Sequence, residues 1–255
     1  MEYAIETSGL TKDFGALRAV DHVDLHVDRG GFYGFLGPNG AGKSTTIKIL
    51  TGLLAPTEGT ARILGRDLAR EPLAIKGRIG VVPEDLCLFE NLTAREYLTF
   101  MARMYRVPRN VIGDRCDELL HLLGLDDTGK KLVIEFSHGM KKKLTLASAL
   151  IHNPDLLFLD EPFEGIDAIA SRAIRGVLER FRQRGSTIFL TSHILEIVEK
   201  LCTHVGIIAS GALVREATLA ELAGGGSLEQ AFIEVVGAPE QAPSGLSWLT
   251  GAGDA

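Results

Sequence analysis

Val23, Leu25 and Val27 are apolar, while the intervening Asp24 and His26 are polar. Period two is the spacing of a strand with one wet face, and it predicts an antiparallel sheet near the start of the chain. Residues 32–36 and 156–159 are unbroken apolar runs. They predict strands covered on both faces, the pattern of a parallel sheet. Residues 60–64, 79–82, 187–190 and 205–208 supply further strands.

Between these strands the period lengthens. Ile47, Leu50 and Leu54 recur at helical spacing. Thr93 with Glu96 is a capping pair, followed by a stripe of Tyr97, Phe100, Met101 and Met104. Val107-Pro108 breaks that helix. A second is predicted from about 111 to 123, with Gly124 as its stop. A third starts near Ser137 and carries Leu144, Ala147 and Leu150. A helix over 170–184 stops at Gly185. Gly224, Gly225 and Gly226 predict a hinge-like break. Ser227 with Gln230 predicts a last short helix, with Leu228, Ala231, Phe232 and Val235 on one face.

One α/β domain is therefore expected over 1–236. Its core comprises 1–83 and 152–223, its helical insert 84–151, and its C-terminal helix 227–236. Residues 237–255, rich in Gly, Pro and Ala, are expected to be a flexible tail. No internal repeat is evident.

Composition narrows the function classes. The chain has 255 residues, 45% of them hydrophobic, and net charge -6. An acidic chain has no broad basic surface, which argues against nucleic acid as a partner. No apolar run reaches the roughly 18 residues of a membrane span. Residues 1–10 carry acids and lack the apolar stretch of a secretory signal. Cys87, Cys116 and Cys202 are few, odd in number and widely spaced. They predict reduced thiols rather than a metal site or disulfide framework.

The chemistry concentrates at Gly37, Pro38, Asn39, Gly40, Ala41, Gly42, Lys43, Ser44 and Thr45. This stretch fits G-x-x-x-x-G-K-[ST], the phosphate-binding P-loop. The pattern arises by chance in roughly one chain in a hundred of this length, and here it also joins a predicted strand to a predicted helix. Backbone N–H groups of such a loop converge on phosphate oxygens, and the helix dipole adds positive potential. Lys43 is placed to reach the β- and γ-phosphates, and Ser44 to hold Mg²⁺. The run 156–159 ends in Asp160-Glu161. With a P-loop in the same chain, Asp160 suits the metal through water, and Glu161 suits the orientation or deprotonation of an attacking water. His193 closes the next strand, at the sheet edge where α/β folds bind ligands. Lys141, Lys142 and Lys143 are expected to form a solvated helix face.

The order of these parts resembles the nucleotide-binding subunit of ATP-binding cassette (ABC) transporters. It runs from the P-loop through a helical insert to Phe136-Ser137-His138-Gly139-Met140, then the acid-tipped strand, Asp167 and Thr191-Ser192-His193. The likeness extends over about residues 4–222. The family signature usually reads Leu-Ser-Gly-Gly-Gln, so Ser137 and Gly139 are kept and their neighbours differ. The resemblance implies a P-loop NTPase fold: a RecA-like parallel core, an antiparallel β subdomain and a helical ABC subdomain. It implies ATP and Mg²⁺ as ligands, and a head-to-tail second subunit, with a homodimer expected. Ser137 and Gly139 would contact ATP held by that second subunit, and Asp167 would belong to the same junction. Phe14 matches an aromatic that stacks on adenine. Glu84 stands where the family usually has glutamine, as a possible metal ligand that adds negative charge.

The resemblance further implies a separate integral membrane permease, with the chain peripheral on the cytoplasmic side of the membrane. The short C-terminal region and the variant motifs favour an exporter of the ABC-2 type. Asp85, Leu86, Leu88, Phe89 and Leu92 fall where the family docks its membrane subunit, although plain core explains them equally well. A soluble ABC ATPase, as in iron–sulfur cluster assembly, is the alternative. A P-loop kinase would leave Ser137 and His193 without a role.

Overall fold

A computed structural model of the chain describes residues 3–223 and 227–237. The strands are β1 (Tyr3–Phe14), β2 (Leu17–Val23), β3 (His26–Asp28), β4 (Phe32–Leu36), β5 (Glu58–Ile63), β6 (Arg66–Asp67), β7 (Ile79–Val82), β8 (Leu156–Asp160), β9 (Thr187–Ser192), β10 (His204–Ala209) and β11 (Ala212–Thr218). The helices are α1 (Lys43–Leu50), α2 (Pro72–Lys76), α3 (Ala94–Met104), α4 (Arg109–Leu122), α5 (His138–Leu150), α6 (Ala168–Gln183), α7 (Leu195–Leu201), α8 (Leu219–Ala223) and α9 (Leu228–Val236).

Two sheets result. The antiparallel one runs β2-β1-β5-β6, with β3 also paired to β1. The alternation from Val23 to Val27 is a true alternation of burial, but it spans two strands rather than one. The Thr7 hydroxyl bridges the break, accepting from the Leu25 N–H at 2.9 Å and donating to the Val23 carbonyl at 2.8 Å. Strand β1 escapes the periodicity because bulges shift its register against β2, β3 and β5. Each bulge reverses which side chains face inward.

The second sheet runs β11-β10-β4-β9-β8-β7 and is parallel except for the edge hairpin of β10 with β11. Its inner strands separate two cores by simple alternation. Phe32, Leu36, Leu157, Leu159, Ile188 and Leu190 face the helical side. Phe35, Phe158 and Phe189 face the antiparallel sheet, where Phe189 lies 5.4 Å from Phe35 and 5.7 Å from Phe158 between ring centres. Both faces are covered, and the one polar side-chain group in the runs 32–36 and 156–159, the Tyr33 hydroxyl, donates to Glu216 Oε1 at 2.6 Å.

Helix boundaries follow their caps. Thr93 and Glu96 form the expected capping box on α3, and the Thr93 N–H and hydroxyl hold the Glu96 carboxyl below its usual range. Helix α4 begins directly after Pro108, whose fixed φ is already near helical. Helix α6 begins two residues earlier than the apolar pattern suggests, because the Asp167 carboxylate accepts the Ala170 N–H at 2.8 Å. The Ser227–Gln230 box on α9 is present, with Leu228 and Ala231 buried. Gly224–Gly226 and the expected tail beyond 237 lie outside the described residues. All three cysteines are free; Cys116 and Cys202 are buried and Cys87 is exposed.

Candidate functional site

Four neighbouring strands deliver their carboxyl ends to one edge of the parallel sheet. The P-loop follows β4, His193 follows β9, Asp160 and Glu161 end β8, and Glu84 follows β7. Leu36 pairs with Ser192, and Asp160 with Thr191. Adjacent loops therefore leave the sheet about 5 Å apart. Between them lies a cavity of about 400 Å³. It is lined by Asn39, Gly40, Gly42, Lys43, Ser44 and Thr45, by Phe14, Leu17 and Ala19 from the antiparallel sheet, and by Glu84, Glu161, Glu164 and His193.

The P-loop is shaped by what its glycines lack. Gly42 has φ +106°, and a Cβ there would stand 2.3 Å from the Ala19 carbonyl oxygen. A Cβ on Gly37 would stand 2.4 Å from the Ile208 carbonyl oxygen. No other residue fits either place. Pro38 and Ala41 close the loop through a bond from the Ala41 N–H to the Pro38 carbonyl at 3.1 Å. Lys43 is 6% exposed, and its Nζ donates to the carbonyls of Gly37 at 2.8 Å and Pro38 at 3.2 Å. The same Nζ lies 3.8 Å from Glu161 Oε1. The Ser44 hydroxyl donates to Glu84 Oε2 at 3.1 Å.

The acids at the end of β8 are held by a different device. The Asp160 carboxylate, 3% exposed, accepts from the Thr191 hydroxyl at 2.6 Å. Glu161 is 5% exposed and has φ +47°, the left-handed region that non-glycine residues avoid. Its N–H donates to Thr191 Oγ1 at 3.0 Å. Its carbonyl accepts from Lys142 Nζ at 2.8 Å. Its Oε2 accepts from the His193 N–H at 3.3 Å and lies 3.0 Å from His193 Nδ1. Every polar group of this residue is engaged, which is how a sparsely populated backbone conformation persists.

The sequence-predicted residues thus fall into two groups. Phe14, Asn39, Gly40, Gly42, Lys43, Ser44, Thr45, Glu84, Glu161 and His193 share the cavity; Gly37, Pro38 and Ala41 shape the loop without lining it, and Asp160 is the neighbour of Glu161 at the end of β8. Phe14 is 49% exposed at this cavity rather than in the core, with Lys12 Nζ 5.3 Å from its ring centre. Ser137, Gly139 and Asp167 do not line the cavity. Ser137 caps α5 by accepting the Met140 N–H at 3.3 Å, and Asp167 caps α6. These three sit together on another surface: a Cβ on Gly139 would touch Ile166, and His138 lies against Gly165.

Lys142 does not belong to a solvated face. It is 3% exposed. Sequence reasoning also missed Thr191 as the clamp on both acids. The signal for Lys142 was its spacing from Leu146, Ala149 and Leu150, all buried on α5. A lysine in register with an apolar stripe points inward. Thr191 left a weaker signal, a hydroxyl at the end of an otherwise apolar strand.

A second surface feature lies at the join of core and helical block. Leu88, Phe89, Leu92 and Phe100 line a shallow groove. Phe89 is 55% and Phe100 40% exposed, and their rings meet edge to face at 5.2 Å.

Comparison with known proteins places this geometry. The ABC transporter family profile matches residues 20–164. The bacitracin transport ATP-binding protein BcrA of Bacillus licheniformis is 43% identical over 217 residues, 85% of this chain and 70% of that protein. The daunorubicin/doxorubicin resistance ATP-binding protein DrrA of Streptomyces peucetius is 40% identical over 219 residues, 86% of this chain and 66% of that protein. Among solved structures, an ATP-binding subunit of an ABC transporter superposes with a TM-score of 0.85 at 32% identity, over 91% of this chain and 99% of that one. A dimeric ATP-binding cassette bound to ADP and Pi gives 0.78 at 25% identity, over 84% and 98%.

Proposed function

The chain belongs to the ABC transporter family, as an ATP-binding subunit that hydrolyses ATP, and from that premise we propose that it drives export through a separate membrane-spanning subunit. One observation carries the reading: the P-loop lysine, the strand-end glutamate and His193 converge on a single cavity. The relatives named for bacitracin transport and daunorubicin resistance support export of a drug-like compound.

The P-loop N–H groups and Lys43 hold the β- and γ-phosphates, and Phe14 stacks on the base. Glu161 orients a water and takes up its proton as the oxygen attacks the γ-phosphorus, and the bond to the β-phosphate oxygen breaks. His193 keeps the Glu161 carboxylate aimed. Glu84, Glu161 and Glu164 line the cavity against a single lining lysine, Lys43, so a triphosphate fits best with a cation of its own. Ser44, Glu84 and Asp160 are oxygen donors that suit Mg²⁺, which when bound neutralises phosphate charge.

Ser137, Gly139 and Asp167, turned away from the chain's own cavity, serve the nucleotide of a second, head-to-tail subunit, most simply a second copy. ATP then favours the closed pair, and hydrolysis removes that differential contact. The groove at Phe89 and Phe100 receives the membrane subunit; aromatics exposed together on a surface mark such contacts. No helix among the described residues is long and apolar enough to cross a membrane. As an ATP-hydrolysing partner of a separate membrane subunit, the chain works peripherally, at the cytoplasmic face. The domain limits of 1–83 with 152–223, and 84–151, follow the same reading.

The test is ATP turnover of the chain purified with its membrane subunit. Lys43→Ala loses nucleotide binding. Glu161→Gln keeps it and turns over about 10²–10⁴ times more slowly. Undiminished turnover in Glu161→Gln removes the glutamate from this role. Failure to recover any membrane protein with the chain favours a soluble assembly instead.

A further inference from the structure

Helix α5 meets the turn after β8 along one stripe. His138 and Lys142 are four residues apart and share a helix face. The His138 ring lies 3.4 Å from where a Cβ of Gly165 would stand. Lys142 Nζ donates to the carbonyls of Glu161 at 2.8 Å and Glu164 at 2.6 Å. No carboxylate oxygen among the described residues is in ion-pair range of this ammonium, so backbone carbonyls alone receive it.

A buried lysine is costly unless its donors are satisfied. Burial pushes its pKa down, while the carboxylates of Glu164, Glu161, Glu84 and Asp160 oppose that shift. A methionine would fill much the same space without the cost. The lysine's specific return is geometric. Its two acceptors bracket the turn that begins at Glu161 with φ +47°. Thr191 fixes the N–H side of Glu161, and Lys142 fixes the carbonyl side.

We propose that Lys142 is a positioning residue for Glu161, clamping the left-handed turn so that the carboxylate faces the nucleotide cavity. The inference rests on the hydrolytic role of Glu161 proposed above. It has a second consequence. The same helix begins with Ser137 and Gly139, so the surface that faces the second subunit is tied by one side chain to the acid of its own cavity.

The experiment compares Lys142→Met, Lys142→Gln and Lys142→Arg in the complex with the membrane subunit. It follows kcat, KM for ATP, binding of a fluorescent ATP analogue, and Tm. Lys142→Met should lower kcat by about tenfold to a hundredfold, with KM and analogue affinity within about twofold of the parent. Lys142→Arg should restore most of the rate. In a Glu161→Gln background, single-turnover hydrolysis should be no slower with Lys142→Met added, because the two act as one unit. If Lys142→Met does not fold, Lys142→Gln, which keeps neutral donors, carries the comparison. Parent-like kcat in Lys142→Met overturns the proposal. So does a full additional loss in the Glu161→Gln background, or a rate loss shared equally by the arginine variant. Undiminished turnover in Glu161→Gln alone would instead overturn the role of Glu161 and leave Lys142 a structural lysine.

Discussion

In the loop after β4 the left-handed positions are glycines, Gly40 and Gly42; in the turn after β8 the left-handed position is Glu161. Both segments approach the same cavity and both hold unusual backbone. The first does so by omitting side chains: Gly40 and Gly42 take left-handed φ without a Cβ penalty, and at Gly42 the Ala19 carbonyl also occupies the place a Cβ would need. The second must present a carboxylate, so glycine is excluded there. Its conformation is held instead by Thr191, Lys142 and His193, which lie far from Glu161 in sequence. A glycine-built loop needs no side chain to clamp it, whereas the clamped turn depends on α5 and on β9 with the residue that follows it.

Three experiments probe that difference. Gly42→Ala should have the largest effect. Its Cβ collides with the Ala19 carbonyl at 2.3 Å and its φ is strained, which together cost about 3 kcal/mol or more. Denaturant unfolding should show the loss, and calorimetry should find no ATP binding. Survival of both would mean the loop is not glycine-dependent. Thr191→Val should come next. It leaves the Glu161 N–H and Asp160 carboxylate short of a partner, at about 1–3 kcal/mol, and should lower kcat more than ATP affinity. Equal effects on the two parameters would show that the clamp does not act on the acids. The smallest effect separates Glu161→Gly from Glu161→Ala. Both lose turnover, but the glycine variant relieves left-handed strain and should be more stable by about 1 kcal/mol, read from paired urea midpoints. Equal midpoints would mean that the turn stores no strain.

The same contrast explains what could be read in advance. The P-loop was legible because all its determinants are contiguous, from Gly37 to Thr45. The acid pair was legible because an apolar run ending in Asp160-Glu161 is local too. The clamps were not, since Thr191 and Lys142 gain meaning only when β9 and α5 are brought against β8. Lysine chemistry also hid Lys142: charge argues for solvent, and only its register with Leu146 and Leu150 argues against it. In the fold, α3 followed from its own capping box and β8 from its own hydrophobicity. Strand β1 did not, because its bulges are set by partners on either side.

Cys87 is the one exposed thiol of three, and it stands between Glu84 at the nucleotide cavity and Phe89 in the aromatic groove. A maleimide dye would therefore attach at a single address in the unmodified chain. Its fluorescence would report directly whether nucleotide arrival is felt at the groove.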